Sequence, residues 1–188
     1  RSVPDGSTKN YSTDGGSTYS TTVPTRTSVG TTTVNWKVTN PNYNDATGTF
    51  TCKVNAASFT VTTPTNHLTY NGTSTTNGSA QTCPGVTVSD LKGSQSATIK
   101  YGTASGTYGS DTPRTITNAG DTTVYYKVTA PNHADKTGSY TCYMDSATIS
   151  YTKSNKTKVY DGSALTCSGV SLTGTGTKPT DGTINYST

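Results

Sequence analysis

The sequence contains no glutamate, because all ten of its acidic residues are aspartate. It is also poor in apolar residues, which make up 28% of its 188 positions, against roughly 45–50% (glycine included) in ordinary globular chains. No apolar run approaches the roughly 20 residues that a membrane-spanning helix requires. The lack of glutamate removes one common general acid or base and one common bidentate metal ligand. A large core and a transmembrane helix are therefore excluded in this segment.

Charge is scarce as well. Charged residues make up 13% of the chain and the net charge is +4, so the combination of low hydrophobicity and high charge that indicates disorder is absent. The lysines are spread singly among threonines, whereas nucleic-acid binding requires a clustered basic patch. We expect no nucleic-acid partner and no membrane insertion by this segment. Because no signal peptide is present and Arg1 is not a natural start, we expect an excised or processed piece of a longer protein.

The chain instead contains a repeat and an abundance of threonine, a strand-forming residue that fills about a quarter of the positions. Thr32 to Val54 and Thr122 to Met144 are identical at thirteen of twenty-three positions. Apolar residues alternate in both copies: Val34, Trp36, Val38, Phe50, Cys52 and Val54 in the first, Val124, Tyr126, Val128, Tyr140, Cys142 and Met144 in the second. This alternation predicts strands with one buried face, and Pro-Asn interrupts each pair. Each copy is predicted to be a β-hairpin with a loop around Asn-x-x-Asp.

The repeat extends along the chain with a period of 84 to 90 residues. Tyr70-Asn71-Gly72 recurs as Tyr160-Asp161-Gly162, and Cys83-Pro84-Gly85-Val86 recurs as Cys167-Ser168-Gly169-Val170. A period of this length indicates tandem domains. We predict the C-terminal half of a repeat at 1–55, a complete repeat at 56–145 and the N-terminal half of another at 146–188.

Within the complete repeat, strands are predicted at 58–62, 68–70, 82–88, 97–102 and 114–117, followed by the hairpin. About seven short strands separated by turn signals are typical of an immunoglobulin-like β-sandwich. The predicted fold class is therefore all-β, with tandem immunoglobulin-like sandwich repeats.

The two terminal halves are predicted to be incomplete sandwiches, which have open strand edges and an uncovered apolar face. They overlap in sequence, since Asp5 to Thr13 resembles Asp181 to Thr188. Either the chain is a window cut from a longer array, or its ends complete each other between neighbouring subunits. In the second case the C-terminal half of one copy docks on the N-terminal half of the next. Such head-to-tail contacts build an open filament when the rotation does not close.

Several motifs together resemble the YDG/MBG-type immunoglobulin-like repeats of large bacterial surface or secreted adhesins. They are VYDGSA at 159–164, GVSLTG at 169–174, GTINYS at 182–187, TVNWKVT at 33–39 and PNYNDATGT at 41–49. The resemblance covers nearly the whole chain and implies a cell-surface or extracellular location and a role as a spacer. The paired cysteines depart from that family's cysteine-poor pattern.

Each repeat has one cysteine at the start of its second strand (Cys83, Cys167) and one in its last strand (Cys52, Cys142). The spacing is not that of a zinc site, and four cysteines allow three pairings. In an immunoglobulin-like sandwich these two strand ends share a pole, which favours Cys83–Cys142 within the complete repeat. Cys52 and Cys167 would then pair with a neighbouring repeat or subunit. Disulfides indicate a location outside the cytoplasm.

The hairpin loops contain weak metal candidates, Asp45 and Asp135. Calcium takes about six to eight oxygen ligands, whereas each loop supplies a single carboxylate, and Asx residues also serve turns by local hydrogen bonding. Lys37 and Lys127 raise the alternative of intramolecular isopeptide bonds. Alternation places both lysines on the solvent face, which argues against that chemistry.

Tyr43 and its counterpart His133 are candidates for contact with a sugar or another chain. The sequence supplies no convergent partners that would make a catalytic triad or metal site of His67 or His133. We expect no enzyme and no cofactor. The leading expectation is a non-catalytic extracellular repeat that forms the shaft of an adhesin or a filament, with copies of itself or neighbouring repeats as partners. The alternative is an adhesive module that binds host or environmental glycan or protein through exposed loop tyrosines.

Overall fold

The computed structural model describes residues 3–72, 78–173 and 184–187. In these ranges the chain is all-β and has no helix, so no helix there is long and apolar enough to cross a membrane. The strands are β1 (Thr8–Ser12), β2 (Gly30–Asn40), β3 (Tyr43–Val54), β4 (Thr60–Thr62), β5 (Leu68–Thr69), β6 (Gln81–Thr82), β7 (Thr87–Ser89), β8 (Thr98–Gly102), β9 (Thr115–Ile116), β10 (Gly120–Thr129), β11 (Lys136–Asp145), β12 (Ser150–Lys153) and β13 (Val170–Thr173).

The described strands form several sheets. The two larger ones have the orders β1-β2-β3 and β5-β11-β10-β8, and β4-β7, β6-β9 and β12-β13 form two-stranded sheets. An all-β chain of short strands in several sheets is consistent with a β-sandwich, whose apolar faces are buried between layers.

Contacts divide the chain into two compact units. The first contains the residues up to Thr60 together with Ser89–Ala97 and Thr129–Asp135, and the second contains the other described residues. In the first unit Val34 and Phe59 are buried. The second unit has the larger core, whose buried members are Cys83, Val86, Tyr101, Val124, Tyr126, Val128, Tyr140, Cys142 and Met144.

The hairpin of β10 and β11 confirms the predicted alternation. The strands pair antiparallel, with Val124 opposite Tyr140 and Thr122 opposite Cys142. Val124, Tyr126 and Val128 are buried, whereas Lys127 between them is partly exposed. Successive side chains of a strand point to opposite faces, so the register fixes which set is buried.

The hairpin of β2 and β3 has the same register, with Val34 opposite Phe50 and Thr32 opposite Cys52. The corresponding face is much less covered here. Val34 is buried, but Trp36 and Val38 are only partly buried, and Phe50 is exposed. The loop also differs from the prediction, because β3 already begins at Tyr43 and the turn is confined to Pro41-Asn42.

The predicted strand over 82–88 is wrong in its middle. β6 ends at Thr82 and β7 begins at Thr87. Pro84 has no backbone N–H for a ladder bond, which disfavours a continuous strand at this point. The N–H of Cys83 donates to the Arg114 carbonyl at 3.0 Å, and the N–H of Val86 donates to the Tyr101 hydroxyl at 3.1 Å. The backbone around Pro84 is therefore satisfied by single contacts instead of a ladder.

Each hairpin places an aromatic ring over a glycine on the opposite strand. Tyr126 lies opposite Gly138, and Trp36 lies opposite Gly48. A Cβ added at Gly138 would collide with the Tyr126 ring. Since Tyr126 is buried, the ring has little room to move away.

We therefore expect Gly138→Ala to lower the free energy of unfolding of the second unit by roughly 1–3 kcal/mol, through overpacking against Tyr126. Native-state hydrogen exchange at the amides of Val124 and Val128 measures this loss. Gly109→Ala is the matched control, because a Cβ there meets nothing within 4 Å. Equal protection in the two variants would contradict the role assigned to this close approach.

Candidate functional site

Two of the four cysteines form a disulfide and two are free thiols. Cys83 and Cys142 form a disulfide, with their Cα atoms 5.9 Å apart and 59 residues between them in sequence. This is the pair that the sequence analysis favours. The other two are free thiols: Cys52 on β3 is partly buried, and Cys167 is exposed.

Two buried tyrosines form hydrogen bonds with the backbone just after Cys83. The Tyr140 hydroxyl donates to the Pro84 carbonyl, and the Tyr101 hydroxyl accepts the Val86 N–H. Burial raises the pKa of Tyr140 from 10.0 to about 12, with a smaller contribution from the charge of Tyr101. Burial also raises the pKa of Tyr101. Both phenols are therefore held neutral, as hydrogen-bonding groups inside the core.

The corresponding face of β2 and β3 is only partly covered. Phe50, at the position of Tyr140, is 44% exposed, whereas Tyr140 is 8% exposed. Cys52 and Val54 are partly exposed, whereas their counterparts Cys142 and Met144 are buried. We call this surface, made by Val34, Trp36, Val38, Phe50, Cys52 and Val54, the N-terminal face.

The C-terminal segment carries the residue types that cover such a face. Tyr101 and Tyr186 occur in similar segments, KYGT at 100–103 and NYST at 185–188. Tyr186 is 60% exposed, whereas Tyr101 is 5% exposed. Ile149 and Cys167 are exposed, whereas their counterparts Phe59 and Cys83 are buried. Val170, the counterpart of Val86, is partly buried. These four residues, Ile149, Cys167, Val170 and Tyr186, are named the C-terminal set.

Both weak metal candidates, Asp45 and Asp135, are exposed. Asp45 accepts an ion-pair contact from Lys37 Nζ at 2.8 Å, and both side chains are exposed. This hydrogen bond raises the pKa of the Lys37 amine. In the described part of the chain, no three histidine, cysteine or acidic residues come together as a group that could hold a metal ion. Lys127, like Lys37, is not fully buried, which does not suit an isopeptide bond.

The two loop candidates for ligand contact differ sharply. Tyr43 is 62% exposed, and its ring is accessible to a partner. His133 is buried: its Nδ1 contacts the Pro131 carbonyl at 2.7 Å, and its Nε2 accepts the Lys92 N–H at 3.0 Å. Its ring also packs edge-on against Phe59, with 5.8 Å between the ring centroids. These contacts favour a packing role for His133.

Sequence reasoning missed several contacts around the candidate residues. His67 Nδ1 lies 2.9 Å from an Asp145 carboxylate oxygen, and its ring stacks at a tilt on Tyr143. The Val29 N–H donates to the Asn132 side-chain carbonyl at 2.9 Å. These residues are far apart in sequence, and no local pattern connects them.

Comparison with known proteins does not identify a family. Neither the scan of protein-family models nor the search of curated proteins finds a match for this chain. The functional interpretation therefore depends on the residues and their geometry.

We expect the Cys83→Ala, Cys142→Ala double variant to lose about 2–5 kcal/mol of stability in the second unit, since the bond closes a long loop of the unfolded chain. Hydrogen exchange at Val124 and Val128 measures the loss. Cys52→Ala, at the matching position of the other hairpin, is the control and should leave that exchange unchanged. An equal effect of both variants would show that the disulfide is not the source of stability.

We expect the titration of the folded protein to include one tyrosine that ionises near pH 12. This step should be missing in Tyr140→Phe. Because the folded pKa lies above the unfolded value, the stability that Tyr140 contributes is complete below pH 10 and is lost as the pH rises through about 12. Rapid pH-jump measurement of tyrosinate absorbance separates this step from slower alkaline damage. Tyr143→Phe, at an exposed position of the same strand, is the control and should retain the late step.

Proposed function

We propose that this chain is part of a non-catalytic extracellular shaft built from tandem immunoglobulin-like repeats, in which neighbouring repeats or copies complete each other's sandwiches head to tail. One observation carries the proposal. The residue types that the middle of the chain buries together occur once more at each end, and there, apart from the buried Val34, they are partly or largely exposed. The N-terminal face is only partly covered, and the C-terminal set has the composition of the missing part of the cover.

The likeness of the two long hairpins supports an organisation in tandem repeats. The hairpins β2-β3 and β10-β11 have the same register, offset by 90 residues. Each adjoins a shorter strand that carries a tyrosine bridged to a serine nine residues later: Tyr11 to Ser20 beside one, Tyr101 to Ser110 beside the other. Independent segments that adopt one arrangement in one register are the signature of repeated domains. The resemblance to YDG/MBG-type adhesin repeats points the same way.

Partial exposure of the N-terminal face supports joining between copies. An apolar sheet face that carries Trp36, Phe50 and Val54 is unusual on a monomer with so few apolar residues. The C-terminal set of a second copy supplies Cys167 for Cys52, as Cys83 serves Cys142. The C-terminal set and the N-terminal face lie on different parts of the chain. The contact between them is therefore heterologous and can repeat from one copy to the next. The disulfide and the expected location outside the cytoplasm are mutually compatible.

The test is covalent capture of the joint under oxidising conditions. The wild-type chain should give a ladder of disulfide-linked oligomers on non-reducing gels, with Cys52 linked to Cys167 in peptide maps. Electron micrographs of the same material should show beaded filaments. Compact monomers with both thiols free, or a Cys52–Cys167 bond within single chains, would overturn the proposal.

Two single variants make this test directional. Of the two free cysteines, Cys52→Ala retains only Cys167, so it can act only as the donor, the copy that presents the C-terminal set. Cys167→Ala retains only Cys52, so it can act only as the acceptor, the copy that presents the N-terminal face. Neither variant alone should form covalent oligomers, whereas an equal mixture should form covalent dimers and no longer ladder. Dimers from Cys52→Ala alone would show that exposed Cys167 merely oxidises against itself, which contradicts a head-to-tail joint.

A further inference from the structure

The tips of the two long hairpins have nearly the same sequence and different structures. Tip 1 is Pro41-Asn42-Tyr43-Asn44-Asp45, and tip 2 is Pro131-Asn132-His133-Ala134-Asp135. In tip 1, β3 begins at Tyr43, which pairs with Asn40. In tip 2, β11 begins only at Lys136, so His133 to Asp135 are not paired with β10.

Tip 2 is open because another segment of the chain occupies it. The Ala57 N–H donates to the Asn132 carbonyl, and the Ala134 N–H donates to the Ala57 carbonyl, both at 2.9 Å. The Val29 N–H adds a third bond of 2.9 Å to the Asn132 side chain. Asn132 has a φ of 59°, a left-handed conformation that asparagine tolerates better than most residues. Tip 2 therefore acts as a socket for the residues around Ala57 and Val29.

Tip 1 can open at low cost. Its pairing is already irregular, because the register shifts between Val38 and Asn40, and a shifted register weakens the local ladder. The ion pair of Lys37 with Asp45 is exposed, and exposed pairs contribute little to stability. Asn42, the counterpart of Asn132, is exposed together with Tyr43.

The chain also contains counterparts of the residues that occupy tip 2. Ala147 and Ala119 stand 90 positions after Ala57 and Val29. Ala147 lies just beyond the end of β11, as Ala57 lies just beyond β3. Ala119 is exposed and Ala147 is partly exposed.

We propose that tip 1 is a docking socket for a second copy of this chain, whose Ala147 and Ala119 enter it as Ala57 and Val29 enter tip 2. On docking, Tyr43 to Asp45 leave β3. The partner's Ala147 N–H then donates to the Asn42 carbonyl, and the partner's Ala119 N–H donates to the Asn42 side chain. The inference rests on the proposed head-to-tail function and assigns a specific lock to its joint.

The experiment uses the directional pair of cysteine variants. In their mixture, Cys167→Ala is the acceptor that presents tip 1, and Cys52→Ala is the donor that presents Ala147. Asn42→Ala in the acceptor removes one hydrogen bond of the lock and should slow covalent dimer formation about 3- to 10-fold at concentrations below the dissociation constant. The same Asn42→Ala change in the donor should have no effect, which controls for any influence on folding.

Two further variants sharpen the result. Asn44→Ala in the acceptor copies the residue already present at position 134 and should change the rate by less than about twofold, because it removes no bond of the lock. Ala147→Pro in the donor removes the N–H that enters the socket and should slow the reaction at least as much as Asn42→Ala, with unchanged circular dichroism.

The outcomes separate the two proposals. If covalent dimers form through Cys52 and Cys167 but neither Asn42→Ala in the acceptor nor Ala147→Pro in the donor changes the rate, the socket is overturned and the head-to-tail joint stands. If no dimers form in the mixture, the joint and the socket fall together. Equal slowing by Asn42→Ala in donor and acceptor would also overturn the socket, because it would indicate a general effect on the chain.

Discussion

An alternating strand has one face that must be covered, and this requirement governs the whole molecule. With 28% hydrophobic residues, each hairpin has a single apolar stripe and little else to bury. Where the segment from Cys83 to Val86 lies in the same unit as β11, the stripe becomes a core, and Val124 and Val128 are fully buried. On β2 and β3 the same stripe leaves Phe50 exposed. Completion of a face, more than the sequence of the hairpin itself, distinguishes the two copies.

A core this lean depends on groups that do more than bury area. Tyr140 and Tyr101 contribute aromatic surface, and their hydroxyls also satisfy the backbone around Pro84 and Val86, where no ladder runs. The Cys83–Cys142 bond limits the unfolded chain in a domain whose apolar burial is small. Together these features compensate for an apolar content of 28%, which is well below the roughly 45–50% (glycine included) of ordinary globular chains.

The local sequence pattern predicted those features that depend on neighbouring residues. Period-two alternation located the long hairpins and the buried set on β10, and the shared pole of two strand ends indicated the bond between Cys83 and Cys142. The break of the strand at Pro84 has a local cause that the alternation pattern leaves out, since proline has no backbone N–H for the ladder. The burial of His133 could not be predicted, because it depends on Lys92 and Phe59, which are distant in sequence. Tip 2 is the clearest case: its shape depends on Ala57, about 75 residues away along the chain. Tip 1 is instead paired within its own hairpin, where Tyr43 lies opposite Asn40.

The proposed joint differs from the internal core in one chemical respect. Phe50 occupies the position of Tyr140, and Ser168 occupies that of Pro84. The hydroxyl that satisfies the Pro84 carbonyl therefore has no counterpart between Phe50 and Ser168, and that carbonyl must find water or remain unsatisfied at a cost. A joint without this bond relies more heavily on the Cys52–Cys167 disulfide and on the socket at tip 1. Of all the sandwiches in such a shaft, the one between copies would then be the first to separate under reduction, while the sandwich closed by Cys83–Cys142 keeps its additional hydrogen bonds.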